Sequence, residues 1–288
     1  MRGKVVALSY GIYSIESDGV IYNAPARGIF RKQDIKPMVG DDVEIGDETY
    51  VIQHVYERKT LLKRPPIANI DQMLIIESLK EPEFSYLLAF KYLTYANMNN
   101  IKAKIVLTKE DIQDDKGLIK EIVDTFKKMD IEVLVTSNKT HEGVEGIKKL
   151  FRNHVTCLIG QSGVGKSSLI NSIDPEFERR VGEYSYALGR GKHLTKEVIL
   201  LPYEGGYIAD TPGFSSLELD LYKEDLAQFY PGFTEIYTNC YFSDCLHITE
   251  NKCAVKELVE SGKYPKIAYE NYLKLSEQSL FKSKRYQR

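Results

Sequence analysis

The run Gly160-Gln161-Ser162-Gly163-Val164-Gly165-Lys166-Ser167, followed by Ser168, carries the chemistry of a phosphate-binding loop. Glycines at 160, 163 and 165 let the backbone turn tightly, so that successive N–H groups point inward at a phosphate. A helix expected to begin near Lys166 adds the positive end of its dipole. The Lys166 ammonium can reach the β- and γ-phosphates, and the Ser167 hydroxyl is a ligand for Mg²⁺. Asp210-Thr211-Pro212-Gly213 closes a short apolar strand further on. An Asp at such a strand end supports Mg²⁺, and Gly213 brings a backbone N–H towards the γ-phosphate.

Base recognition has its own candidate, Thr108-Lys109-Glu110-Asp111, at the end of an expected strand over 104–107. The Asp111 carboxylate can accept hydrogen bonds from guanine N1–H and the 2-amino group, which adenine does not offer; this opposes an ATP-dependent enzyme. The Lys109 stem can cover the ring. In the usual [NT]-K-x-D motif an Asn stands at the first position, so Thr108 is expected to hold the neighbouring loops less firmly. Ser137, in Thr136-Ser137-Asn138, can supply a backbone N–H to guanine O6, or be an ordinary strand end. The base motif normally lies downstream of the phosphate loop. Here it lies upstream, and that order implies a circularly permuted GTPase domain.

The stretch 179–196 places Arg179, Arg180, Arg190, Lys192, His193 and Lys196 among glycines, as in a switch loop. Thr195 is the candidate threonine for Mg²⁺ and for sensing the γ-phosphate. Position 214, where Ras-like enzymes carry a water-orienting Gln, is Phe214. Phe offers water no hydrogen bond, so turnover by the chain alone should be slow, and His193 is the candidate for the missing polar group. The competing view is an RNA-binding scaffold that holds nucleotide as a structural ligand without significant turnover.

A second cluster, Cys240, Cys245, His247 and Cys253, offers three thiolates and an imidazole, the donor set of a closed structural Zn²⁺ site. Only 4 Cys occur in 288 residues, and three fall in this cluster, which argues for reduced, metal-binding use in the cytoplasm. Cys157, under the phosphate loop, reads as a small buried apolar residue.

The elements that must position these groups fall into three blocks. Residues 1–66 read as five short strands (5–8, 12–15, 20–22, 42–45 and 50–55) separated by Gly and Asp-Gly breakers, which suits an all-β OB-fold barrel. Lys63-Arg64-Pro65-Pro66 reads as a stiff domain boundary. Residues 67–213 alternate strand and helix, beginning with the continuous apolar run Met73-Leu74-Ile75-Ile76, and read as a doubly wound α/β domain. Residues 214–288 hold the Cys/His cluster and helical patterns, mainly helical around a core separate from the nucleotide domain, and end in the basic tail Lys282, Lys284, Arg285 and Arg288.

A net charge of -2 gives no general attraction to polyanions, so RNA binding would need local basic patches. Arg27, Arg31, Lys32 and Lys36, beside Phe30, form one candidate; a solvated barrel edge explains them equally well. No stretch has the roughly 20 apolar residues of a membrane span. A monomer is expected, with no DNA or membrane partner.

Together these residues resemble the RsgA (YjeQ/YloQ) family of circularly permuted GTPases. The matching motifs are Gly28-Ile29-Phe30-Arg31-Lys32, Arg64-Pro65-Pro66, 108–111, 160–168, Gly189-Arg190-Gly191-Lys192-His193-Leu194-Thr195, 210–214 and the Cys/His cluster. Leu194 departs from the family's G-R-G-K-H-T-T pattern, while Thr195 keeps the threonine expected on Mg²⁺. The resemblance implies a P-loop GTPase domain flanked by an OB-fold and a zinc domain, with GTP/GDP, Mg²⁺ and one Zn²⁺ per chain. It also implies a late assembly factor for the small ribosomal subunit and its rRNA, stimulated by that subunit, with His193 acting in the stimulated hydrolysis.

Overall fold

The computed structural model describes residues 1–28, 30, 35–63, 66–179, 198–210 and 217–280. The N-terminal strands are β1 (Arg2–Ser9), β2 (Ile12–Ser17), β3 (Val20–Pro25), β4 (Asp42–Ile45) and β5 (Ile52–Val55). They pair antiparallel in the order β3-β2-β1-β4-β5, and a parallel bridge from Ala26 to Ile52 brings the two edges together. Closure removes the open edges, which gives the expected OB-type barrel. Val5, Ile15, Ala24, Val43, Ile45 and Ile52 fill its interior.

The Lys63–Pro66 region is more than a spacer. β6 (Leu61–Lys63) and β7 (Pro66–Ala68) pair across it, with Lys63 opposite Pro66. Leu62 and Ile67 are fully buried in the same apolar cluster as Val6, Ala7 and Met73. The hairpin thus packs between the barrel and the next domain, and Pro66 is tolerated because it opens its strand.

The central domain runs β8 (Gln72–Ser78), α1 (Tyr86–Met98), β9 (Lys102–Thr108), α2 (Lys116–Lys127), β10 (Val133–Val135), α3 (Val144–Phe151), β11 (Val155–Ile159), α4 (Lys166–Ile173), β12 (Ile199–Tyr203) and β13 (Gly206–Asp210). Its sheet order is β10-β9-β8-β11-β13-β12, parallel throughout except for the β12–β13 hairpin. Side chains of Ser85 and Asp115 accept from Leu88 and Leu118 backbone N–H groups and so cap α1 and α2. Leu74, Ile76 and Val106 face the layer of α3 and α4, while Met73, Ile75 and Ile105 face α1 and α2. This two-sided burial is why β8 reads as an unbroken apolar run.

The C-terminal helices are α5 (Lys223–Phe229), α6 (Ala254–Glu260) and α7 (Lys266–Gln278). The expectation of a separate core does not hold. Phe90 of α1 stacks on Tyr230 at 5.4 Å, Tyr230 meets Tyr272 at 5.2 Å, and Tyr272 meets Phe233 at 4.7 Å. Fully buried Tyr230 donates its hydroxyl to Ala268 O at 2.7 Å. One continuous apolar cluster therefore runs from the sheet through α1 to the cysteine-rich region. Among the described residues no helix is long and apolar enough to cross a membrane.

Candidate nucleotide site and metal centre

The phosphate loop leaves the C-terminal end of β11, the central parallel strand, where ligands of doubly wound sheets bind. Gly160 has φ 152° in a region closed to side chains, and a Cβ there would stand 2.2 Å from Ile76 O. Gly165 caps α4 with φ 95°, and a Cβ would press to 3.3 Å from the Asn138 amide nitrogen. The loop is thus seated against β8 and the 136–138 strand end, a cradle that accepts glycine only. Lys166 donates to the carbonyls of Gly160 and Gln161, both at 2.6 Å, so its ammonium lies over the loop. Burial holds the Lys166 ammonium below its usual range, while Glu77 opposes that shift. Ser162, Gly163, Ser167 and Ser168 are exposed and Val164 is buried, as a loop open to a ligand and anchored by one apolar side chain requires.

Thr108 is fully buried, and its Oγ1 donates to Val164 O at 2.5 Å, tying the 108–111 turn to the phosphate loop. Lys109 takes a left-handed conformation with φ 61°, which starts the 3₁₀ turn Glu110–Ile112, and its ammonium bonds Glu81 O. Asp111 Oδ1 accepts from Ser137 Oγ at 2.7 Å. Ser137 Oγ in turn accepts from the Lys139 and Thr140 backbone N–H groups. The chain therefore brings Asp111, Ser137 and the loop at 160–167 to one end of the sheet, although the base motif precedes the loop in sequence.

Two participants were missed by sequence reasoning. Asn138 donates to Gly165 O at 3.3 Å, a second tie between base turn and phosphate loop, and no residue pattern advertised it. Glu77 is 2 % exposed within β8. Its signal was a charge inside an apolar strand. Asp210 is the last residue of β13, whose Ala209 pairs with Cys157 of β11, so this strand end lies beside the phosphate-loop strand. His193, Thr195, Gly213 and Phe214 lie outside the described residues, as do Arg31, Lys32 and the basic tail.

The cysteine cluster fits one tetrahedral Zn²⁺. Cys240, Cys245 and Cys253 Sγ lie 3.4, 3.5 and 3.4 Å from His247 Nδ1, and Cys240 Sγ lies 3.8 Å from Cys253 Sγ. A tetrahedral ion with ordinary Zn–S and Zn–N bonds needs edges of about 3.8 Å between sulfurs and about 3.6 Å from sulfur to nitrogen. All three thiols are free. Burial, with the neighbouring Cys240 and Cys253, pushes the Cys245 thiol up to about 12, despite a backbone hydrogen bond at His247. Three thiolates this close together need a cation, and a bound dication would favour the deprotonated form of Cys245. Burial also favours neutral His247, the form that ligates. The site is braced by Ala254 N on Cys240 Sγ, by the Tyr269 hydroxyl on His247 O, and by the Glu250 carboxylate accepting from Leu246, Ile248 and Thr249.

A parallel sheet with the base turn on a strand before the phosphate-loop strand, a phosphate cradle and a closed C-terminal zinc cluster together define a circularly permuted P-loop GTPase. The RsgA GTPase model matches residues 55–220, and the RsgA N-terminal domain model matches residues 2–50. A relative from Geobacillus sp. (strain WCH70), named small ribosomal subunit biogenesis GTPase RsgA, is 41% identical over 99% of both chains. One of the same name from Bacillus velezensis is also 41% identical, over 99% of each. Among solved structures, YjeQ from Thermotoga maritima superposes with a TM-score of 0.82 at 34% identity, covering 96% of this chain and 97% of that one. YloQ, described as a circularly permuted GTPase, gives 0.80 at 34% identity, covering 96% and 94%. The chain belongs to the RsgA GTPase family, with GTP/GDP and Mg²⁺ as its ligands and one Zn²⁺ in the Cys/His cluster.

Proposed function

We propose that this chain is a GTP hydrolase that assists late maturation of the small ribosomal subunit, that the subunit stimulates its turnover, and that hydrolysis times its release. The observation that carries the hydrolase reading is the Thr108–Val164 bond, which joins base turn and phosphate loop into one site. The partner rests on full-length similarity to relatives named for small-subunit biogenesis.

In this proposal Asp111 and Lys109 hold the guanine, and the Ser137 hydroxyl sets the carboxylate; the expected role of its backbone N–H at guanine O6 does not hold, because that N–H donates to Glu142 O at 3.1 Å. The backbone of 160–165 and Lys166 hold the phosphates, Ser167, Asp210 and Thr195 hold Mg²⁺, and Gly213 donates to the γ-phosphate. His193 orients the attacking water in place of the Gln that Phe214 replaces. Mg²⁺ supplies charge neutralisation at the phosphates when bound. The barrel contacts rRNA, and the protein acts as a monomer in the cytoplasm. Pelleting with purified small subunits tests the partner: retention is expected with a non-hydrolysable GTP analogue and release with GDP. Equal recovery with both nucleotides, or with neither, refutes the release cycle. Phe214 is the one feature that favours the alternative, a scaffold that holds nucleotide without turnover.

A further inference from the structure

Among the described residues, Glu77 is the one buried carboxyl beside the phosphate loop that the hydrolysis scheme leaves unused. It stands at the C-terminal end of β8, the end that meets the nucleotide site, one residue after the Ile76 carbonyl against which Gly160 is seated. Its own carbonyl is the second acceptor for Thr108 Oγ1, at 3.4 Å. The side chain shares a face of the sheet with Met73 and Ile75, in the layer that α1 covers. Among the described residues its Oε1 has no hydrogen-bond partner.

The polar groups facing Glu77 are few. Tyr92 of α1 is a neutral phenol whose ionisation burial and Glu77 together suppress. Thr108 of β9 reaches the backbone carbonyl of Glu77 rather than its carboxyl, and Cys157 of β11 lies level with Met73, further down the sheet. The cation that acts on Glu77 is Lys166, already held over the loop. An ionised carboxylate in such an apolar layer has little solvation and attracts the Lys166 ammonium towards the sheet. The same ammonium is the group that must serve the phosphates.

We propose that Glu77 is a positioning residue for Lys166, and that binding of a nucleoside polyphosphate at this loop is linked to uptake of one proton from solvent by the Glu77 carboxyl. When the carboxyl is neutral, Lys166 is shared with no other anion and is fully available to the phosphates. When it is ionised, phosphate binding brings a second negative group next to a buried first one, and the pair is relieved by protonating Glu77. Burial already pushes Glu77 up to about 8, and added phosphate charge moves it further in the same direction. Affinity for nucleotide therefore falls as pH rises through that range.

The inference rests on the nucleotide site proposed above, and GDP is the probe. Wild-type protein should bind GDP tightly near about pH 7 and lose about tenfold in affinity by about pH 9 beyond any loss seen in Glu77→Gln. Titration of guanine itself occurs in both proteins and cancels in the comparison. Calorimetry of the wild type near about pH 8, in two buffers of different ionisation enthalpy, should show net proton uptake that Glu77→Gln abolishes. Matching pH profiles, zero uptake by the wild type, or an equal loss in Glu77→Gln at every pH would each overturn the linkage. Absence of GDP binding by the wild type near about pH 7 would instead overturn the nucleotide site.

Discussion

Replacing Asp111 by Asn changes a charge and almost no volume, and the surroundings of the side chain make the result interpretable. Oδ1 of Asp111 accepts from Ser137 Oγ at 2.7 Å, a bond that the Asn carbonyl keeps. The turn should therefore stay in place while the base-facing oxygen becomes an NH₂ group. Guanine would then meet a donor where its N1–H and 2-amino group need an acceptor. Hydrogen bonds to a charged group contribute about 1.5–3 kcal/mol each, so losing two costs about 3–6 kcal/mol, or roughly 10²–10⁴ in GDP affinity. Xanthine carries a 2-oxo group that accepts from the new amide, so xanthosine diphosphate should recover much of that loss. Fluorescence titration with both diphosphates against both proteins reads the exchange. GDP binding by Asp111→Asn within about threefold of wild type would show that this carboxylate does not read the base.

Because Cys253 and Tyr272 belong to the apolar cluster that includes Phe90, stripping zinc or making Cys245→Ala should loosen α1 as well as the C-terminal helices. Thermal unfolding should shift down by several kcal/mol-equivalents of stability, and elemental analysis finding no zinc in protein purified without chelator would defeat the assignment. His193→Ala should lose roughly 10²–10⁴ of the subunit-stimulated rate while GTP affinity holds, since a water-orienting group contributes about that much; unchanged stimulated turnover removes its role. Glu77 also sets a pH dependence of folding. Its carboxyl is raised from 4.5 to about 8, so the folded chain keeps a proton over a range in which the unfolded chain releases it. Its stabilising contribution is complete below about 4.5 and is lost as pH rises through about 8, for a total of several kcal/mol. Denaturant unfolding of Glu77→Gln should be flatter over that window, and a parallel wild-type profile would contradict this.

The phosphate loop was legible because its backbone admits few residue types: Gly160 and Gly165 sit where a Cβ collides or a side chain strains. The zinc ligands were legible by type, since thiols this close together have few other uses. The β6–β7 hairpin was hidden because Pro65-Pro66 reads as a stiff linker, whereas Leu62 and Ile67 on either side are the groups that bury. The shared core was hidden by distance along the chain. Its local trace lies in α1, where Ala89, Phe90, Tyr92, Leu93, Thr94, Tyr95 and Ala96 are all buried. A helix apolar on nearly every side must be covered on nearly every side, here by the sheet and by the C-terminal aromatics. The Thr108 tie was not legible in advance, because the carbonyl that its short hydroxyl reaches, Val164 O, lies 56 residues further along the chain.

The central claim is that this chain hydrolyses GTP and that a small ribosomal subunit accelerates it. Phosphate release should be measured at saturating GTP and Mg²⁺, with the chain alone and with purified small subunits added. Turnover by the chain alone should be slow, because Phe214 cannot orient water, and should rise at least roughly 10²-fold with small subunits, a rise that large subunits do not reproduce. Equal rates with and without small subunits would contradict it.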